Sequence, residues 1–497
     1  MPIPAMAVGV FVLVIACAAR SAHGNEATAR QALKAAFGAS EAKDSAAAYK
    51  AVLDAINDSG FSSLEPAKQH AALRLAFESA YEAKDFAEAH RFATRATALP
   101  QQSREDWQYR LNTATRLKDY GDEALSVTGL LRVDSEATGA LNAEVVRQAY
   151  RDTRSPGFGE VRRQMLLELH ERGWEPADGS SASNMWRTLS LQLLDNDDLA
   201  RAMEVVRHVD EPIDVIAMRA DLRYKRLLKA PYFESNPHRA ARTRIDVLRR
   251  NLAKRPRSLA ALLLLTHALM NSREDAEVLS LTMAADRKIL DSPNGSPPFD
   301  DIERNHHWIL DEKARALSDM GRFGDAEAEF RRAANLPHQD GGVSQLINLA
   351  LYLCELNRPR EAVDMLPKME DASDYGKTQI AFAKLAAATE QAEPAAVHDH
   401  LQYLREHQDV SASTFQKALL IAGEYDEAQA FLLSRLADPE KRTDALVDLQ
   451  TYAERKLPPR GQAWRAEYEK LKAMAGIRQA SAQVGALDRY SWRYEAW

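Results

Sequence analysis

Leu310 to Pro337 reads LDEKARALSDMGRFGDAEAEFRRAANLP. Small or apolar residues fall at Ala314 and Leu317, then at Ala326, Phe330 and Ala333, with Gly321-Arg322-Phe323 between the two sets. Spacings of three and four residues put each set on one face of a helix. Gly321 suits the left-handed position that ends a helix, and Pro337 cannot continue the second one. The stretch predicts two antiparallel helices joined by a tight turn, with small Ala326 where they approach closely. The next stretch repeats the pattern with Leu346, Leu349, Ala350 and Leu353, the pair Arg358-Pro359, and then Ala362, Leu366 and Met369.

Working outward, the alanine that follows each turn recurs at Ala89, Ala124, Ala202, Ala276, Ala326, Ala362, Ala396 and Ala428. The steps are 35, 78, 74, 50, 36, 34 and 32. The two long steps each match two units, so a degenerate copy is expected in each gap. The step of 50 contains Ser292-Pro293-Asn294-Gly295-Ser296-Pro297-Pro298, which cannot be helical. This spacing and residue set resemble the tetratricopeptide repeat, a 34-residue helix–turn–helix unit. The resemblance spans 69–436 and is strongest over 308–369. Trp186 matches the Trp that opens many such repeats, and Trp107 lies one place early.

The resemblance implies an all-α fold, a right-handed superhelical solenoid of antiparallel helix pairs whose first helices line a concave surface. It also implies protein binding by a scaffold rather than catalysis. The family's partner-binding positions fall here on Tyr109, Arg110, Arg187, Asp311, Arg315, Asp319, Asn348 and Glu355. The Lys/Asn/Arg set with which chaperone-binding members clamp a C-terminal carboxylate is not present as a set. The expected layout is a leader over 1–24, a helical cap over 25–68, degenerate repeats over 69–290 and a loop over 291–303. Clearer repeats over 304–457 follow, then a C-terminal helix and aromatic tail over 458–497.

Composition agrees with a soluble helical protein. Aromatic residues are only 7% of the 497, while hydrophobic and charged residues are 45% and 28%. A formal charge of −7 rules out a generally basic nucleic-acid binder. Residues 1–19 carry no charge, and Ala5 to Ala19 is an apolar run followed by Arg20 and the small-x-small site Ala22-His23-Gly24. That reads as a cleaved export signal, which would place the rest of the chain in a bacterial periplasm. Val14-Ile15-Ala16-Cys17 also resembles a lipoprotein box, in which Cys17 would be lipidated and the chain membrane-anchored. An uncleaved anchor is the third reading. Cys354 is the other cysteine. It lies in a well-patterned first helix and reads as a packed free thiol.

Catalytic signatures are missing. There is no His-Glu-x-x-His, no Gly-x-Ser-x-Gly and no phosphate-binding glycine loop, so neither an enzyme nor a cofactor is expected. Glu78-Ser79 and Glu234-Ser235 match the dipeptide of Slt-type lytic transglycosylases without the Gly-Leu-Met-Gln that should follow. His306-His307 and His398-x-His400 are not spaced to share a helix face, and they read as solvent-facing. Residues 219–257 hold 13 Lys or Arg against three acids. In the helix expected over 238–252, Arg239, Arg242, Arg249 and Arg250 oppose Ala241, Ile245, Leu248 and Leu252. This is a candidate anion-binding face for acidic polysaccharide or anionic lipid, similar to the periplasmic repeat arms of polysaccharide export machines. A solvated basic face is the plainer reading. Tyr490, Trp492 and Tyr494 alternate, which would put them on one side of an extended tail ending at Trp497.

Overall fold

The computed structural model describes residues 26–133, 141–154, 157–292, 297–337 and 342–494. The leader and Trp497 lie outside these residues. The described residues are helices, turns and short connections, and two isolated bridges, Asp221 with Gly485 and Thr451 with Arg489, are the only extended pairing among them. No described helix is long and apolar enough to cross a membrane. The chain divides into two compact units, one ending at Ala177 and one beginning at Asp178.

One turn builds both units. Lys43, Lys84, Lys118, Asp197, Arg273, Gly321, Asn357, Ala392 and Gly423 each join two helices at φ between 54° and 82°. The next residue's N–H reaches back five positions, as from Asp85 to Ala80 O (2.9 Å), Arg322 to Leu317 O (2.9 Å) and Glu424 to Leu419 O (2.8 Å). A left-handed residue other than glycine costs roughly 1–2 kcal/mol. The returned hydrogen bond satisfies a carbonyl that the helix end would otherwise orphan, which offsets that cost. Seven of these nine turns therefore work without glycine.

Four residues beyond the start of this second leg, the helices meet. Ala48, Ala89, Ala202, Ala326, Ala362 and Ala428 occupy that place and are fully buried or nearly so. Three expected registers are corrected. After Lys118 the place belongs to Glu123 instead of Ala124. After Arg273 the place belongs to buried Val278, whereas Ala276 is exposed. After Ala392 it belongs to Val397, one residue beyond Ala396. Helices rich in alanine offer an alanine near every register, so the turn fixes the frame and the alanine does not.

The first unit begins with the pair Glu26–Glu41 and Ser45–Asn57, which carries the same turn, so the stretch expected as a cap is itself a repeat. The pairs Pro66–Glu82 with Phe86–Thr97 and Arg104–Leu117 with Tyr120–Val133 follow. The gap expected to hold a degenerate copy holds Ala143–Asp152 and Gly159–Glu171, both packed on Tyr120–Val133. Leu33, Val52, Phe61, Leu73, Phe77 and Phe92 form a continuous core through the first two pairs.

The second unit opens with Ser183–Asp195 and Leu199–Val205. Pro212–Ala220, a 3-10 segment over Leu222–Lys229 and Pro237–Lys254 fill the second gap. Five pairs follow, from Leu259–Asn271 with Asp275–Leu290 to Ala412–Ala422 with Tyr425–Ala437, and then Arg442–Leu449. This array closes on itself, because Arg442–Leu449 packs against Pro212–Ala220. Thr443 donates its hydroxyl hydrogen to Asp221 Oδ2 (2.7 Å), and Ala486 N–H donates to Ala220 O (2.8 Å). Gly485 sits at the seam, where a Cβ would lie 2.4 Å from the Ala220 carbonyl oxygen. After Arg442–Leu449, the expected last helix is Pro459–Ala473. The stretch expected as a loose tail, 476–489, begins as a second helix, Ala475–Val484.

Candidate functional site

The surface expected to take a partner in the second unit already carries the chain's own C-terminal end. Pro459–Ala473 lies on the first helices of two pairs, Val343–Glu355 and Ala412–Ala422. Its Trp464 enters the core beside Ala350, Leu353 and Ala386, edge-on to Phe382 at 6.4 Å. Gly461 keeps its backbone close to Glu355, where a Cβ would stand 3.5 Å from the carboxyl carbon. Before this helix, the connection crosses to another first helix, Ile302–Asp319. Arg455 Nε donates to Asp319 Oδ1 (2.8 Å) and Lys456 Nζ to Met320 O (3.1 Å).

The tail, residues 485–494, crosses in the same region in extended form. Thr451 N–H donates to Asp488 O (3.1 Å), Tyr490 N–H to Thr451 O (2.8 Å) and Ala453 N–H to Trp492 O (3.0 Å). These bonds pair the tail with the connection at 451–453 much as a strand is added to an edge. Tyr490 and Trp492 are buried with Ile216 and Ala241, and Tyr452 lies against Tyr490 and Tyr494 at 6.1 and 5.3 Å. Burial pushes the Tyr490 hydroxyl above its ordinary range, with the Asp488 carboxylate adding to the shift and Arg219 opposing it.

Alternation puts Arg493 on the other side of the tail from the aromatic residues, and in the structure that side chain is buried. Arg493 is 7% exposed, with its guanidinium on Asp275 (2.5 and 2.9 Å) and Asp319 (3.0 Å). Its N–H donates to Asn271 O (2.7 Å). Asp319 thus faces two guanidinium groups. Burial still raises its carboxyl above the usual range; Arg455 and Arg493 pull it back and the Asp275 charge adds to the rise.

The other positions named from the sequence are placed as follows. Asp311, 1% exposed, accepts from Asn348 Nδ2 at 2.6 Å, so these two bind each other. Arg187 is held by Asp214 at 2.8 Å, and Arg315 is half-buried. Of this set, the C-terminal end covers Asp319 and approaches Glu355. In the first unit, Tyr109 stacks on Phe77 (4.3 Å) under Arg74, and buried Arg110 pairs with Asp122 and donates to Thr97 Oγ1 (2.9 Å). Arg110 therefore holds helices together instead of facing a partner.

On Pro237–Lys254, Ala241, Ile245 and Leu248 are buried while Arg239, Arg242, Arg249 and Arg250 are exposed. The local excess of charge is partly spent inside the fold. Arg239 pairs with Glu234 (3.1 Å), Arg249 with Glu277 (2.9 Å), Arg257 with Asp300 (2.6 Å) and Arg219 with Asp488 (3.1 Å). Arg244, 6% exposed, lies on Glu211 at 2.7 Å. Lys225, Arg226, Lys229, Arg242, Arg250 and Lys254 remain at the surface.

Two histidines differ from the sequence reading. His306 and His307 are both buried, and His306 Nε2 meets Asp286 at 3.0 Å. Burial works to raise the Asp286 carboxyl, but His306, Arg332 and Lys313 outweigh it and hold it down at about 2. Cys354 is buried against Ala383 O (3.7 Å), and burial pushes its thiol up to about 12. Among the described residues, no three His, Cys, Asp or Glu side chains are placed to hold a metal ion.

Sequence reasoning missed Glu123. It stands where the other pairs have alanine or valine, donating its N–H to Asp119 O at 2.9 Å. The residue is 1% exposed, its carboxylate accepts from Thr115 at 3.1 Å, and it lines a cavity of 660 Å³. Burial, reinforced by Asp152 and opposed by Thr115, raises its carboxyl to about 7. A glutamate at the helix-approach place was the available signal, and the alanine frame set at Ala124 hid it.

A scan of protein-family models finds no match to the chain, and no curated protein matches it. Solved structures similar to parts of it include the APC/C hetero-tetramer Cut9–Hcn1, at 13% identity and TM-score 0.29, over 93% of this chain and 90% of that one. The P58(IPK) TPR domain is similar at 12% identity and TM-score 0.21, over 73% of this chain and 98% of that one. The human IFIT1 dimer with m7Gppp-AAAA is similar at 12% identity and TM-score 0.27, over 83% and 88%. The architecture stands on the turns and helix pairs described above. On that geometry the chain is an all-α protein of tetratricopeptide-like helix–turn–helix units.

Proposed function

We propose that the protein is a non-catalytic scaffold that binds a protein partner on the first helices of its second unit. The observation that supports this most is the tail itself. In support of this reading, residues 485–494 lie along the second unit as an extended segment, paired through the backbone with 451–453, with aromatic residues beside Ile216 and Ala241 and a guanidinium on Asp275 and Asp319. The export reading of the leader adds the proposal that the partner is a protein of the bacterial cell envelope. The acidic-glycan or anionic-lipid reading keeps six exposed cations between 225 and 254 for its surface.

Photo-crosslinking tests the scaffold reading. A photoreactive residue placed at Arg315 or at exposed Arg250, in the full chain expressed in cells, should give a discrete polypeptide adduct from Arg315. Adducts that vanish on treatment with glycan-degrading enzymes, or that arise only from Arg250, would favour the glycan surface. Absence of any polypeptide adduct from Arg315 and from the neighbouring first-helix position Asn348 would refute the scaffold.

A further inference from the structure

The tail is bound as a ligand would be bound. Its anchors alternate in kind, with two aromatic rings in an apolar slot and one guanidinium on two carboxylates. Removing the tail would uncover Asp275, whereas Asp319 would keep Arg455 at 2.8 Å. Asp275 is 13% exposed at its side chain with Arg493 in place. A carboxylate so enclosed is costly to leave without a counter-charge. Beside it, Trp492 and Tyr494 line a 330 Å³ cavity together with Arg244, His267 and Ser272. Room therefore adjoins the tail for side chains larger than its own. The backbone of 451–453 supplies both donors and acceptors, and it reads no sequence by itself.

We propose that this groove is the partner site, that its partner is an extended segment carrying aromatic residues at alternate positions followed by an arginine, and that residues 485–494 are a built-in competitor. The proposal rests on the scaffold reading and gives it a chemistry. An intramolecular tail competes at an effective concentration that reaches millimolar for short links. A partner's apparent affinity is then reduced by the fraction of molecules whose groove is open. Substitutions that release the tail should strengthen binding in trans, and substitutions in the groove should abolish it.

The probe is a fluorescein-labelled synthetic peptide of residues 485–494, titrated by fluorescence polarisation onto the full chain. The parent protein should bind it weakly. Arg493→Glu in the full chain should bind it at least about tenfold more tightly, since breaking a hydrogen-bonded charge pair is worth that and more. Adding Asp275→Asn to that protein should remove the gain, and a peptide bearing Arg493→Glu should not bind. Equal affinity of the parent and Arg493→Glu proteins for the peptide would overturn the proposal, as would binding that survives Asp275→Asn. If Arg493→Glu does not fold, amide exchange on the parent chain decides. Excess unlabelled peptide should speed exchange at 486–494 without altering Leu259–Asn271, and no change at 486–494 would overturn the competitor role. Failure here with a discrete Arg315 crosslink would leave the scaffold reading standing and remove only the tail's part in it.

Discussion

At the scale of single residues, two carboxyl groups titrate in opposite senses. Asp286 is 4% exposed and held near pKa 2, against an ordinary 3.8, despite the burial that would raise it. A folded-state pKa below the unfolded one gives stability that is full above about pH 4 and gone below about pH 2. The depression corresponds to about 2 kcal/mol. Asp286→Asn should lower the urea midpoint at pH 7 accordingly, and the gap from the parent should narrow as pH falls from 4 to 3. A gap independent of pH would contradict this account. Glu123 behaves the other way, because its carboxyl is raised to about 7, first by burial. The folded state then holds the extra proton between about pH 4.5 and 7, so stability falls as pH rises through that window. Glu123→Gln can keep the Thr115 bond and removes the charge. It should stabilise the protein by up to about 3 kcal/mol at pH 8.5 and by little at pH 4.5, measured by urea unfolding. Neither site was legible in the sequence. Asp286 draws its partners from the helices at 302–319 and 323–335, and Glu123 occupies a place that pattern alone reserves for alanine.

At the scale of the helix pair, the turn governs. The two glycines among the nine turns, Gly321 and Gly423, made the repeats around them readable. Arg273 or Ala392 carries no such mark, because the left-handed backbone there is stabilised by main-chain hydrogen bonds that any residue can make. Fold class was legible for this reason, since period and small residues survive, while the frame slipped at Ala124, Ala276 and Ala396 where only alanine guided it. The close approach itself can be tested. Ala326 is 0% exposed, so Ala326→Leu should overpack the contact and cost about 1–3 kcal/mol. Ala334 would be a poor control, since it packs partly against the same core, whereas Ala328 on that helix is exposed. Ala328→Leu should change stability by less than about 0.5 kcal/mol. Similar melting shifts in the two variants would mean that the pair does not pack in this register.

At the scale of the second unit, closure is the feature the sequence did not announce. Its contacts join residues such as Asp221 and Thr443, 222 positions apart, and no local pattern encodes a pairing at that distance. The aromatic alternation of the tail was visible, but its seat between Ile216, Ala241 and Asp275 was not. Gly485→Ala tests the seam. Its backbone is extended (φ −157°), so the substitution costs nothing locally, yet the new methyl meets the Ala220 carbonyl and Leu446. A loss of about 1–3 kcal/mol is expected. Gly324→Ala, with open space around its Cβ and a place inside a helix, should instead stabilise by about 1 kcal/mol or less. If both variants melt alike, the seam is not closed as described.

Closure also sets an order of events during synthesis. Most helix pairs find their neighbours within a few dozen residues and can bury their faces soon after leaving the ribosome. Pro212–Ala220 can do so only in part, on Leu222–Lys229 and Pro237–Lys254, because Ala220 packs with Leu446 and Leu449, and Ile216 packs with Tyr490 and Trp492. At about 5–20 residues per second, the 222 residues from Asp221 to Thr443 take roughly 10–40 s to make. Throughout that interval the nascent chain carries one uncovered apolar helix face, and whatever shields it then decides whether the seam closes or the chain aggregates.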